Sequence, residues 1–176
     1  MIKSLLHKSY LIYGGSIIFS RGLEYFVLLF AAYHLSKSDY GELEFYKKII
    51  EIGSSFFAFG FPVLLMSYTK GSNNKNYFYL LSVIFVLALS LIFVLFFSLN
   101  QWLFLIVPFA FYALFFTGSI THSYILVSSG STKASIYKSV ISIFFYSVVF
   151  ASVYFYDEGK MAFVWASYIL FPFLLI

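Results

Sequence analysis

Apolar runs of about twenty residues and more alternate with short polar breaks along the whole chain. A helix needs about twenty apolar residues to cross the roughly 30 Å hydrocarbon core of a bilayer. The pattern predicts six spans, at approximately Tyr10–Leu35, Tyr40–Tyr68, Tyr77–Leu99, Trp102–Ser128, Ala134–Tyr156 and Met161–Ile176. The fold class expected from this is all-α: a polytopic membrane helical bundle of six transmembrane helices. The breaks are short, which predicts that sequential helices pack as antiparallel neighbours. Pro62 and Pro108 fall inside predicted spans and are expected to kink or break them. Gly71 and Gly130 follow apolar runs, where a helix C-terminus calls for positive φ. Ser36, Ser38 and Asp39 are candidate N-caps for the second span, with Glu42 as a capping-box partner of Asp39. Gly53 and Gly60 are expected to share a face that suits close helix packing.

Composition strengthens the membrane reading. The chain is 62% hydrophobic and 24% aromatic, and 10% of its residues are charged, against about 25% charged in soluble domains. It contains no cysteine, which excludes disulfides and cysteine-based metal or redox sites. The formal net charge of +4 is spread in ones and twos across loops, which fits membrane topology and not nucleic-acid binding. Lys3, Lys8, Lys70, Lys75, Lys133 and Lys138 fall on one predicted side with no acid among them. Lys37, Asp39, Glu42, Asp157, Glu158 and Lys160 fall on the other. The positive-inside rule then predicts a cytoplasmic N-terminus. The first apolar run is too long for a signal-peptide core, is interrupted by Arg21 and Glu24, and reads as a retained span. The chain ends at FPFLLI with no polar flank, which leads to the expectation of a fragment or an early-ended form of a longer protein.

The first two predicted spans carry charge that the others lack. Arg21 stands roughly 18 Å into the first, and Glu24 is one turn further on. On the second, Glu44, Lys47, Lys48 and Glu51 lie within an arc of about 100°, and Ser55, Ala58 and Pro62 continue the stripe. Glu44–Lys48 and Lys47–Glu51 are spaced to pair at i,i+4. A charge at the bilayer centre costs on the order of 2.5–3.5 kcal/mol, so such residues face a bundle interior or a water-filled cavity. Two readings follow. In one, Arg21–Glu24 is an intrahelical pair and the second-helix set is a solvated outer end. In the other, the helices wall a polar vestibule whose cations suit an anionic ligand, since a guanidinium offers phosphate a planar fork of donors.

Other chemistry is sparse. No HExxH, GxSxG, GxGxxG or Walker pattern occurs, and His7, His34 and His122 are isolated, so neither a metal site nor any cofactor is expected. SSGSTK (Ser128–Lys133) lacks the strand and glycine spacing of a phosphate loop and reads as a turn. His122, inside the fourth predicted span, reads as packed core ahead of cavity lining. Nothing points to covalent catalysis, and no enzyme is expected.

The stretch IYGGSIIFSRGLEYFVLLFAAYHLSKSDYGELEF, followed by FFAFGFPVLLMSYTKG, resembles the start of bacterial polysaccharide flippases of the O-antigen and capsule type. These belong to the multidrug/oligosaccharidyl-lipid/polysaccharide exporter superfamily. The resemblance rests on a first span ending in LSKSDYGE, a second ending in GFPVLLMSY and a basic loop after it; it covers about the first seventy residues. It implies one lobe of a two-lobe fold, residues 1–176 being the N-terminal lobe with the second lobe absent. It implies translocation of undecaprenyl-pyrophosphate-linked oligosaccharides across the bacterial cytoplasmic membrane. Its partners would be that lipid-linked oligosaccharide, membrane lipid and the missing C-terminal half or other glycan-assembly membrane proteins. On that basis Arg21, Lys47 and Lys48 are candidates to bind pyrophosphate or acidic sugar, and Glu24, Glu44 and Glu51 to tune them or couple an ion. The alternatives are a cation-coupled multidrug antiporter of the same superfamily and a truncated remnant that transports nothing. A membrane-embedded polymerase or ligase would need a large outer loop, and the predicted outer loops are short.

Overall fold

The computed structural model describes residues 2–68, 74–96, 103–116, 118–155 and 159–175, with side chains from Leu11 onward except those of Tyr68 and Leu175. Lys70, Gly71, the LNQW turn, Asp157 and Glu158 lie outside these residues, as do the side chains of Lys3, His7 and Lys8. Among the described residues every regular element is helical. In order they are α1 (Ile2–His34), α2 (Lys37–Ala58), α3 (Phe61–Tyr68), α4 (Lys75–Phe96), α5 (Ile106–Leu114), α6 (Ile120–Ser129), α7 (Ser131–Phe155) and α8 (Ala162–Leu175). Short 3₁₀ turns at Leu103–Leu105 and Gly159–Met161 lead into α5 and α8.

Among the described residues three helices are long and apolar enough to cross a membrane, over Leu11–His34, Lys75–Phe96 and Ser131–Phe155. A fourth passage arises if the pair Lys37–Ala58 and Phe61–Ser67, bent by 51°, counts as one broken span. The fourth and sixth predicted spans are not single long helices. Trp102–Ser128 divides into α5 and α6, and α8 with its leading turn is a shorter apolar helix.

The breaks have local causes. α2 ends with Phe59 at φ 43° and Gly60 at φ 74°, both left-handed, and Pro62 then sits in the first turn of α3. Its missing N–H costs least there, so the bend falls just ahead of the proline. Pro108 likewise occupies the first turn of α5 and does not kink it; the chain breaks later, around Gly118 at φ 80°. The Tyr137 hydroxyl of α7 donates to the Phe115 carbonyl at 2.7 Å, satisfying a group freed by that break. Gly130 takes φ 87° after α6, as its position predicts. The α2 N-cap is Ser36, whose Oγ accepts from the Asp39 amide at 3.1 Å and donates to its carboxylate at 2.6 Å. Glu42 is not the capping partner; it reaches Lys160 at 3.1 Å instead.

Packing departs from the simple hairpin order. α7 and α8 do fold back on each other, with Phe145 and Phe163 rings 5.9 Å apart. α1, however, lies along α7 and runs in the same direction. Ser20 meets Ser142 at 2.9 Å, and Phe30 meets Phe150 at 4.4 Å further along. Small hydroxyl side chains let these two backbones approach closely. α2 packs in parallel on the 3₁₀ turn and α5, through Tyr46 on Phe104 and Phe57 on Phe109. Gly53 is required there, because a Cβ would overlap the Phe109 ring. Gly60 does not share that role and serves the bend. The core is aromatic, centred on Phe57, Phe111, Phe145 and Phe163.

Candidate functional site

The charged residues of α1 and α2 meet partway along both helices. Arg21 is roughly 20 Å from the His34 end of α1, and Lys47 roughly 15 Å from the start of α2, at 1.5 Å per residue. Glu24 is the hub. Its Oε2 accepts from Arg21 Nη1 at 2.7 Å and its Oε1 pairs with Lys47 Nζ at 2.5 Å. Glu24 and Lys47 are both buried, each with a side chain 8% exposed, whereas the Arg21 side chain is 66% exposed. Two cations on one carboxylate offset its desolvation, which is the condition under which a buried acid stays ionised. Glu51 extends the cluster, 3.9 Å from Lys47 and 2.9 Å from Lys48. The Lys47 ammonium also stands 6.0 Å from the Phe163 ring centroid, within cation–π range.

This cluster lines a cavity of about 250 Å³. Arg21 and Glu24 come from α1; Lys47, Glu51, Ser54, Ser55 and Ala58 from α2; Tyr112 and Ala113 from α5; and Tyr146 from α7. The break between α5 and α6 supplies Phe116, Gly118 and Ser119. Four of the six predicted site residues, Arg21, Lys47, Glu24 and Glu51, therefore share one wall. Lys47 has its charge committed to Glu24, while Arg21 spends one nitrogen on Glu24 and keeps further donors on an exposed side chain. Lys48 and Glu44 are not in the wall. Lys48 turns to Glu51 and not to Glu44, whose carboxylate accepts from the Tyr40 hydroxyl at 2.9 Å. Of the predicted polar stripe, Ser55 and Ala58 reach the cavity and Pro62 does not.

Tyr112, Tyr146, Ser54 and Ser119 escaped the sequence reading. The available signal was a tyrosine in mid-span, since a buried phenol needs a polar neighbour. The hydroxyls of Ser54 and Ser55 both donate to the Glu51 carbonyl at 2.9 Å. His122 is away from the cavity: it is buried, stacked on Tyr13 at 6.0 Å between ring centres, and its Nε2 has no hydrogen-bond partner. Among the described residues no group of His, Cys, Asp or Glu is arranged to hold a metal. Several apolar helices surrounding an ionised, buried cluster are compatible with a multi-pass membrane protein. No protein-family model, curated protein or solved structure matches the chain.

Proposed function

We propose that this chain is the N-terminal lobe of an exporter in the bacterial cytoplasmic membrane. It crosses six times, through α1, α2–α3, α4, α5–α6, α7 and α8, with its N-terminus inside. It moves undecaprenyl-pyrophosphate-linked oligosaccharide units to the outer leaflet for surface polysaccharide synthesis. The observation that carries this reading is the cluster of paired charges around Glu24, lining a cavity among apolar helices. Arg21 is the group that meets the anionic pyrophosphate, because its donors remain accessible. Lys47 holds the site together, Lys48 stands at its edge, and Glu24, Glu44 and Glu51 set the field.

A second reading, cation-coupled drug antiport, is favoured by one feature: Glu24 and Glu51 both face the cavity and match its cations in number. Reconstitution separates the two. Vesicles holding this lobe together with its C-terminal half should speed movement of a fluorescent undecaprenyl-pyrophosphate oligosaccharide between leaflets. Arg21→Ala should return the rate to that of empty vesicles while insertion stays normal. Movement no faster than in empty vesicles with both wild-type halves present would defeat flipping; cation-driven uptake of a lipophilic dye in its place would establish the antiporter.

A further inference from the structure

α1 stands between two different concavities. On one flank Arg21 and Glu24 line the charged cavity. Roughly 140–160° round the helix, at 100° per residue, two hollows follow one another along the parallel α1–α7 pair. The first, about 350 Å³, runs from Ile12 to Phe19 on α1 and from Ser135 to Val140 on α7. The second, about 210 Å³, runs from Leu23 to Val27 and from Ile143 to Phe150. Phe19 and Leu23 are spaced i,i+4 and Val140 and Ile143 i,i+3, so both hollows lie on one side of each helix and form a single groove. Its side chains are mainly apolar, and the hydroxyls of Ser16 and Ser135 turn back to the Tyr13 and Ser131 carbonyls of their own helices, each at 2.7 Å. A lining of this kind favours hydrocarbon over a polar ligand.

Length and continuity select the occupant. Ile12 to Val27 covers roughly 22 Å at 1.5 Å per residue, whereas one leaflet of a bilayer is roughly 15 Å of hydrocarbon deep. A chain filling the groove therefore crosses the midplane, which the acyl chains of ordinary bilayer lipids do not. The groove also adjoins the charged cavity: Tyr146 lines both. On α1, Arg21 faces the cavity and Leu23 the groove, and Gly22 between them is exposed, with nothing within 4 Å of where a Cβ would stand. Glycine is unfavourable inside a helix, and no contact among the described residues calls for one here. Close approach of a ligand to the backbone is the use that fits. We infer that the groove seats the tail of the exported lipid, a polyisoprenoid chain long enough to cross the midplane, and that its anionic head reaches Arg21 over the bare backbone at Gly22. The tail site depends on the exporter reading above and locates the part of the cargo that the charged cavity does not hold. Because the groove extends past the midplane, the tail can stay seated while the head changes sides.

Photolabelling tests the tail site. An undecaprenyl phosphate carrying a diazirine midway along its tail is activated in membrane vesicles holding this chain, and labelled residues are read by mass spectrometry. Label should fall on Phe19, Ile136, Val140 or Ile143 several-fold above Ile84 and Leu91, exposed apolar residues of α4. Unlabelled undecaprenyl phosphate should remove it; phosphatidic acid with ordinary acyl chains, which shares the phosphate head, should not. Gly15 lines the groove and Gly22 the crossing, and both face open space, so larger side chains fit there. Gly15→Phe should cut the labelling several-fold. Gly22→Leu should weaken undecaprenyl phosphate several-fold and leave headless undecaprenol unchanged. An unaltered melting temperature separates these effects from misfolding. Labelling as strong on α4, competition by phosphatidic acid, or labelling unchanged in Gly15→Phe would overturn the tail site. Any of these with flipping intact in vesicles holding both halves defeats the tail site alone. Flipping absent with both wild-type halves defeats the exporter reading, and the cargo assignment of the groove with it.

Discussion

Glu24 organises the cluster more than either cation does, because it is the acid shared by both. The consequences of removing each member are unequal. Glu24→Ala strands Lys47 in a buried site with its next carboxylate 3.9 Å away, and should cost about 3–5 kcal/mol, the range for an ion left unpaired in the interior. Lys47→Ala leaves Glu24 with Arg21 and should cost clearly less. Arg21→Ala removes a mostly exposed side chain and should change stability by no more than about 1 kcal/mol. Denaturant titration in detergent, followed by tryptophan fluorescence, checks the order. It also isolates the role of Arg21, since transport lost at unchanged stability belongs to the site and not to the fold. Arg21 and Glu24 were legible as a pair from their spacing alone. The link to Lys47 was not, because it joins helices whose approach is decided by tertiary packing. Of the two i,i+4 pairs expected on α2, Lys47–Glu51 is present at 3.9 Å, while in the other Tyr40 takes Glu44 and Glu51 takes Lys48.

At the level of elements, apolar length marks the helical stretches but not where they bend. The bend between α2 and α3 comes from two consecutive left-handed residues, one of them the phenylalanine Phe59. A Cβ in that conformation is unfavourable by roughly 1–2 kcal/mol. Gly60→Ala should therefore lower the melting temperature in detergent, whereas Phe59→Gly should raise it by relieving strain already present. Pro62 marked this region in the sequence; the residues that turn the chain precede it. Pro108 was misleading for the same reason, since a proline in the first turn of a helix is harmless. The break at Phe115–Ser119 carries one glycine and no proline, and its freed carbonyl is satisfied by Tyr137 from α7, a partner invisible to local reading.

For the whole molecule, the ends of the helices sort as the loop charges do. Glu42 meets Lys160, and Leu35 packs on Gly159, so the two acidic breaks share one end. Asn76 meets Tyr124 at 2.8 Å near the other. Single cysteines test the orientation: Lys37→Cys should react with an impermeant maleimide from outside the cell, and Lys133→Cys only once the membrane is opened. Reversed labelling would invert the proposed topology. Alternation of loops was readable from charge, but the parallel seating of α1 on α7 was not, because it joins residues 122 apart. That separation has a consequence during synthesis. At about 5–20 residues per second, α1 leaves the ribosome on the order of ten seconds before the helix it docks against exists. Through that interval Arg21 stands on α1 without α7 beside it. The Arg21–Glu24 bridge lies wholly within α1, so the nascent helix brings its own counter-ion and can wait in the bilayer for its partner.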